Sequence, residues 1–142
     1  GGGVRTEELV RGRAALGCDA GAPVCTYPVT KETRRHPLYG SVRRELVVTA
    51  THVLERDPRS VSVVSCRPLG SVHAIIRVAG SDTRLRIEYV DGRDRTYASP
   101  GRDALACSLL DCCLAAGAAE VAVTEGGSDG HRLLPRGERE AA

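Results

Sequence analysis

The sequence predicts an all-β fold with one C-terminal α-helix, a small barrel or sandwich. Three observations carry that reading. From Glu45 to Ala98 about six short apolar or alternating segments follow one another, with turn residues every ~8–12 positions, the cadence of a sandwich or barrel. In residues 84–90 the apolar Leu85, Ile87 and Tyr89 alternate with Arg84, Arg86 and Glu88, which predicts one dry and one wet sheet face. From Leu105 onward the apolar residues switch to helical spacing.

The elements follow in chain order. Residues 1–22 are rich in Gly, Arg and Ala, and 7–16 carry only a thin stripe of Leu9, Val10, Ala14 and Leu16, so they read as a flexible leader. Residues 24–30 contain Pro28, which cannot donate to a ladder and points to an edge strand or extended segment. Residues 31–44 form a basic loop carrying Lys31, Arg34, Arg35, His36, Arg43 and Arg44 around Pro37 and Gly40. Strands are expected at 45–49 and 52–55, then a turn at 56–59 in which Pro58 presets its φ. The β-branched run 61–66 is a further strand, broken by Pro68-Leu69-Gly70. The next strand, 72–78, alternates with Val72, Ala74, Ile76 and Val78 on one face. Asp91-Gly92 is a two-residue hairpin signal of type I′, returning the chain as strand 93–98.

Ser99 is placed to cap a helix and Pro100 to begin it. Leu105, Leu109, Cys112 and Ala116 define the stripe, widened by Ala106, Leu110, Cys113 and Leu114, and Gly117 suits a left-handed C-cap. A meander closed by one such helix is how a pleckstrin-homology-like barrel ends. Residues 119–124 are a further strand or extended exit, and the polar, Gly-rich end from 126 reads as disordered. The expected organisation is a leader at 1–22, one domain at 23–124 and a tail at 125–142.

Composition narrows the class. The chain has 142 residues, enough for one domain, and no Met, which marks it as a fragment or processed piece. With no Phe or Trp, the core falls to Val, Leu, Ile, Ala and Cys. Lys31 is the one lysine among 20 basic residues, and the Arg, Ala and Gly excess reads as nucleotide-composition bias. A net charge of +2 implies neither nucleic acid nor membrane. No run approaches the ~18 apolar residues of a membrane span, and no apolar signal region opens the chain. Cys18, Cys25, Cys66, Cys107, Cys112 and Cys113 form no C-x-x-C pair, so zinc is not expected, and a reducing, cytosolic setting suits them. No metal or cofactor is expected.

The run of landmarks from residue 45 to 123 is more specific than any single motif. They are Val53-Leu54-Glu55-Arg56-Asp57-Pro58, Arg67-Pro68-Leu69-Gly70 and Ile87-Glu88-Tyr89-Val90 with Gly92. Arg95, Tyr97, Ser99, Arg102-Asp103, Ser108-Leu109-Leu110-Asp111 and Ala116-Gly117 complete them. Over roughly residues 28–124 the chain resembles the N-terminal region of the receptor-mediated endocytosis eight family, the large endosomal J-domain proteins of the DnaJ homologue subfamily C member thirteen type. The resemblance implies one of several pleckstrin-homology-like modules, peripheral to the early endosome membrane on its cytoplasmic side. It implies a parent protein that works with heat-shock-70 chaperones and sorting nexins through other regions, and that meets 3-phosphorylated inositol lipids through its most N-terminal module. The His-Pro-Asp tripeptide of J-domains is missing here: His36-Pro37 is followed by Leu38. Co-chaperone activity therefore does not lie in this chain.

Three chemistries compete. The first is a docking or scaffold module that contacts neighbouring modules of a larger protein, with exposed sheet edges able to take a strand. The second is a phosphoinositide-binding module using Lys31, Arg34, Arg35, Arg43 and Arg44, because clustered cations near an anionic leaflet contribute about 1 kcal/mol each. The third, an enzyme, is rejected. His36, His52, His73 and His131 show no local pairing with a nucleophile, and no phosphate-cradling Gly loop follows a strand. Asp57, Asp91, Asp94 and Asp103 have structural roles in turns and at the helix start. Nucleic-acid binding is rejected because no aromatic residues interleave with the cations.

Overall fold

The computed structural model describes residues 20–32, 41–118 and 120–126. Among the described residues the fold has eight strands and one α-helix: β1 (Pro23–Glu32), β2 (Ser41–Thr49), β3 (His52–Arg56), β4 (Val63–Pro68), β5 (Val72–Val78), β6 (Arg84–Tyr89), β7 (Asp94–Ala98), α1 (Arg102–Ala115) and β8 (Val123–Gly126). The strands form one sheet in the order β4-β3-β2-β1-β7-β6-β5-β8. Neighbours are antiparallel except β8, which runs parallel to β5. Two pairs, Thr30 with Ala98 and Lys31 with Tyr97, join the β1–β4 meander to the β5–β7 meander. The meander-then-helix architecture is the one expected.

β1 departs from the expectation of an edge strand. It sits between β2 and β7, yet pairs with β7 only at Thr30 and Lys31. Pro28 therefore lies in a part of β1 whose second edge carries no neighbour, so its missing N–H interrupts no β7 ladder. The expected basic loop is shorter than its sequence suggested. Lys31 lies in β1, Arg43 and Arg44 lie in β2, and Arg34 and Arg35 fall outside the described residues.

The β6–β7 turn is also not the predicted type. Tyr89 N–H donates to Arg93 C=O at 2.8 Å, which leaves a three-residue loop, and among Val90, Asp91 and Gly92 only Gly92 has positive φ, at 85°. That is a turn closed by a left-handed glycine, where a type I′ turn needs two positive φ values. On β5 a bulge between Val72 and Ala74 breaks the predicted single face. Val72 and Ile75 join the main core, whereas Ile76 pairs with Arg86 on the opposite face. Arg86 and Glu88, expected on a wet face, are 1% and 7% exposed.

The helix begins later than expected. Gly101 occupies the cap position, and the Ser99 Oγ accepts from Gly101 N–H at 3.1 Å, while the Ser99 backbone C=O accepts from Arg102 N–H at 3.2 Å. The C-terminus follows the expectation. Gly117 has φ 94°, its N–H reaches Leu114 C=O at 3.0 Å, and Ala118 N–H reaches Cys113 C=O at 2.9 Å. This double closure satisfies carbonyls that α1 leaves unpaired. Leu105, Ala106, Leu109 and Cys113 are the buried apolar face of α1, and Ala116 and Leu114 point outward. That face packs on Leu46, Val48, Val53, Ile75, Leu85, Ile87, Tyr89 and Tyr97. A second, smaller cluster of Ala20, Val47 and Leu54, flanked by Val63 and Cys66, lies on the other side of β2 and β3. Cys25, Cys107, Cys112 and Cys113 are free thiols, while Cys66 is disulfide-bonded. The expected reducing setting does not account for that bond.

The β3–β4 loop stores strain. Asp57 N–H donates to Ser62 C=O at 2.9 Å and Val61 N–H to Asp57 C=O at 2.8 Å, which holds Val61 at φ 57°. A β-branched residue there costs about 1–2 kcal/mol. Val61→Asn, a residue that tolerates this region, is expected to raise stability by ~0.5–1 kcal/mol. Thermal melting checks it, and an unchanged or lower midpoint contradicts the strain.

Candidate functional site

The register of the sheet gathers one polar cluster on its core side. Val29 on β1 opposes Arg44 on β2, and Val29 belongs to the core, so Arg44 points the same way. Leu46 is also in the core and opposes Glu55 on β3. Lys31 opposes Tyr97 on β7. Four polar side chains from four strands thus converge where an apolar interior is expected.

Glu55 is the centre. Its Oε2 accepts from Lys31 Nζ at 2.9 Å and from Arg44 Nε at 3.0 Å, and its Oε1 accepts from the Tyr97 hydroxyl at 2.7 Å. The Glu55 side chain is 2% exposed, whereas Lys31 and Arg44 keep 18% and 20%. Burying a carboxylate without partners costs several kcal/mol, and these three donors remove that cost. Arg44 is committed further: its Nη1 donates to Arg43 C=O at 3.0 Å and lies 3.9 Å from Asp57.

Around this centre the pairing continues. Arg84 grips Glu32 with Nε–Oε2 and Nη2–Oε1 distances of 2.6 and 2.9 Å. Arg56 pairs with Glu45 across β2–β3 at 3.0 Å. Arg67 lies 4.2 Å from the Tyr89 ring centroid and bonds Asp91 at 3.3 Å. Arg95, two residues from Tyr97 on the same face of β7, is half-buried and donates to Asp94 C=O at 2.7 Å. Among the described residues no carboxylate pairs with it.

Of the five cations proposed for lipid binding, Lys31 and Arg44 are brought together, but by Glu55. Arg43 is exposed on the opposite face of β2. Arg34 and Arg35 lie outside the described residues, as do His36 and His131. The turn acids behave as expected. Asp57 accepts Arg59 N–H at 2.8 Å and Asp91 accepts Arg93 N–H at 3.0 Å, and these bonds hold both carboxyls below the usual range. His52 is tied to Thr51 Oγ1 at 2.8 Å. Among the described residues no group of His, Cys, Asp or Glu is arranged to hold a metal, and no helix is long and apolar enough to cross a membrane.

Sequence reasoning missed Glu55 and Tyr97 as partners of Lys31 and Arg44. Both stand among the family landmarks, and Glu55 shares the strand alternation of the buried Val53. That parity was the available signal.

Burial pushes the Tyr89 hydroxyl up to about 12, and burial together with the Glu55 charge raises Tyr97 further. The neutral phenols are therefore favoured in the folded state. Their contribution is complete below the ordinary tyrosine value of about 10 and declines as pH rises toward about 12. Stability is expected to fall by ~1.4 kcal/mol per pH unit for each tyrosine in that window. Urea melts of the native chain and Tyr89→Phe between about pH 8 and 12 test this, because Phe removes one share of the slope. Identical slopes would contradict it.

No protein-family model matches the chain. It is 33% identical over 97 residues to the DnaJ homolog subfamily C GRV2 of Arabidopsis thaliana. That match takes in 67% of this chain and 4% of the relative's length. Among solved structures the fold is similar to the PH domain of human oxysterol binding protein-related protein 11, with TM-score 0.57 and 12% identity over 78% of this chain and 92% of that one. It is also similar to the Slm1 PH domain, with TM-score 0.52 and 9% identity over 68% and 98%. A further Slm1-PH structure, in complex with inositol-4-phosphate, matches with TM-score 0.50 and 9% identity over 66% and 96%. The chain thus has a PH-like fold.

Proposed function

We propose that this chain is a non-catalytic PH-like module that serves mainly as a docking or scaffold domain within a large endosomal J-domain protein of endocytic trafficking. One observation carries the choice of docking over lipid binding: Glu55 already neutralises Lys31 and Arg44, two of the five candidate cations. A headgroup phosphate at that point competes with a buried, three-donor carboxylate. The partial match to a DnaJ homologue supports the parent protein, and the PH-like fold supports a module without its own chemistry. Its partners are neighbouring modules of the parent protein. Heat-shock-70 chaperones and sorting nexins are reached through other regions, and the whole works peripheral to the early endosome membrane.

The second reading is phosphoinositide binding through residues 31–44. The exposed Arg43 and the inositol-4-phosphate complex of the Slm1 PH domain favour it. Co-sedimentation of the full chain with neutral, generic anionic and 3-phosphorylated phosphoinositide vesicles separates the two. Docking predicts no headgroup preference at physiological salt, together with capture of adjacent parts of the parent protein. A phosphoinositide preference that survives physiological salt, lost in a charge reversal of Arg34, Arg35, Arg43 and Arg44, would establish the second reading instead.

A further inference from the structure

We infer that the segment preceding Ala20 is a strap over the outer face of β2–β3, pinned by a Cys18–Cys66 disulfide that a dithiol can open. The inference goes beyond the docking reading and does not depend on it. In the sheet register Val47 opposes Leu54 and Leu54 opposes Cys66, so the three lie in one row on the face opposite the main core. On this face Val47, Leu54 and Arg56 are 0%, 1% and 4% exposed. A fully buried side chain touches roughly 6–12 others. Ala20, Val63 and Cys66, the described side chains packed with Val47 and Leu54, are too short to complete that shell. The chain supplies the rest where it enters the domain. Ala20 is 3% exposed and its C=O accepts from Thr51 Oγ1 at 3.3 Å, so the residues before it start from this face. Cys66 is disulfide-bonded while Cys25, Cys107, Cys112 and Cys113 are free, which leaves Cys18, of the six cysteines, as its partner. Cys18 stands two residues before Ala20 and two after Leu16, where the stripe of Leu9, Val10, Ala14 and Leu16 ends. That stripe is the apolar surface the face lacks. It is thin, and Gly12 and Gly17 weaken any helix in it, so the covalent bond supplies the hold. Cys66 is half-buried on β4, an edge strand of the sheet, where a reductant reaches it. A dithiol opens the bond by exchange. Its thiolate attacks one sulfur, the Cys18–Cys66 bond breaks, and the reductant closes on its second sulfur as a cyclic disulfide. Its two protons and two electrons pass to the cysteines, which leave as thiols. A reducing compartment thus uncovers Val47 and Leu54, and an oxidising one keeps them covered.

The test uses the full chain refolded in a glutathione redox buffer. Peptide mapping is expected to find Cys18 joined to Cys66, with the link lost on treatment with dithiothreitol. Cys18 mapped as a free thiol, as a glutathione adduct or joined to another cysteine overturns the pairing. Tryptic cleavage at Arg11 and Arg13 in the native fold then reads the strap. It is expected to run roughly tenfold faster after dithiothreitol and in Cys18→Ser, with unchanged circular dichroism. Equal rates in the oxidised and reduced chains overturn the strap even where the disulfide maps as stated. The reduced native chain carries this reading by itself should Cys18→Ser not fold. Leu9→Asp/Leu16→Asp separates packing from tethering. It keeps the Cys18–Cys66 link yet is expected to be cut as fast as the reduced chain, and protection equal to that of the native chain overturns the apolar contact. Each readout is blind to neighbouring modules of the parent protein, so the docking reading is untouched by either result.

Discussion

Leu109→Asp abolishes the cooperative thermal transition of this chain. Leu109 is 0% exposed on the inner face of α1, among the side chains of β2, β5 and β6. Losing its burial forfeits about 2–3 kcal/mol, and placing an unpaired carboxylate there costs several more. Together these match the whole stability of a domain this size, about 5–15 kcal/mol. Leu114→Asp is the control. Leu114 is on the same helix but 44% exposed, so its midpoint should move by no more than a few degrees. Circular dichroism melts of the two variants decide the helix register. A cooperative transition in Leu109→Asp, or its loss in Leu114→Asp, would overturn the packing described.

Glu55→Ala destabilises the fold by about 3 kcal/mol in urea denaturation. The loss comes from the donors left behind. The Tyr97 hydroxyl, in a residue 2% exposed, has no water to turn to, while Lys31 and Arg44 relax partly into solvent. The value therefore falls at the lower end of what breaking a buried ion pair costs. The partners must be coupled: Tyr97→Phe alone should cost about 1–2 kcal/mol, and in the Glu55→Ala background nearly nothing. Additive losses in that double-mutant cycle would mean the 2.7 Å contact contributes no stability.

The comparison of sequence with structure separates along physical lines. Strand β5 was legible to its boundaries, because a β-branched alternating run between Gly-containing turns has few other uses. The β6–β7 hairpin and α1 were legible for the same local reasons, turn chemistry and periodicity. The turn's type was not, since Asp-Gly suits both a two-residue loop and a three-residue loop with Gly last. The bulge in β5 was not legible either, because an extra residue is placed by the partner strand. Arg86 and Glu88 show the limit of alternation, which assigns a residue to a face but says nothing of what covers that face. Leu114 and Cys113 differ by one position on α1, and only contact with the sheet decided which one is buried.

The sequence by itself determined the class, strands then one closing helix, because backbone periodicity and turn residues act over a few positions. It also named Lys31 and Arg44, together with Arg34, Arg35 and Arg43, as candidate binding cations. Only the tertiary structure decided what Lys31 and Arg44 do. Glu55 lies 24 residues from Lys31, 11 from Arg44 and 42 from Tyr97, and sheet register alone brings these charges within hydrogen-bond distance. Whether a cation is a binding group or a structural one depends on the anion beside it, and that anion is chosen by the fold.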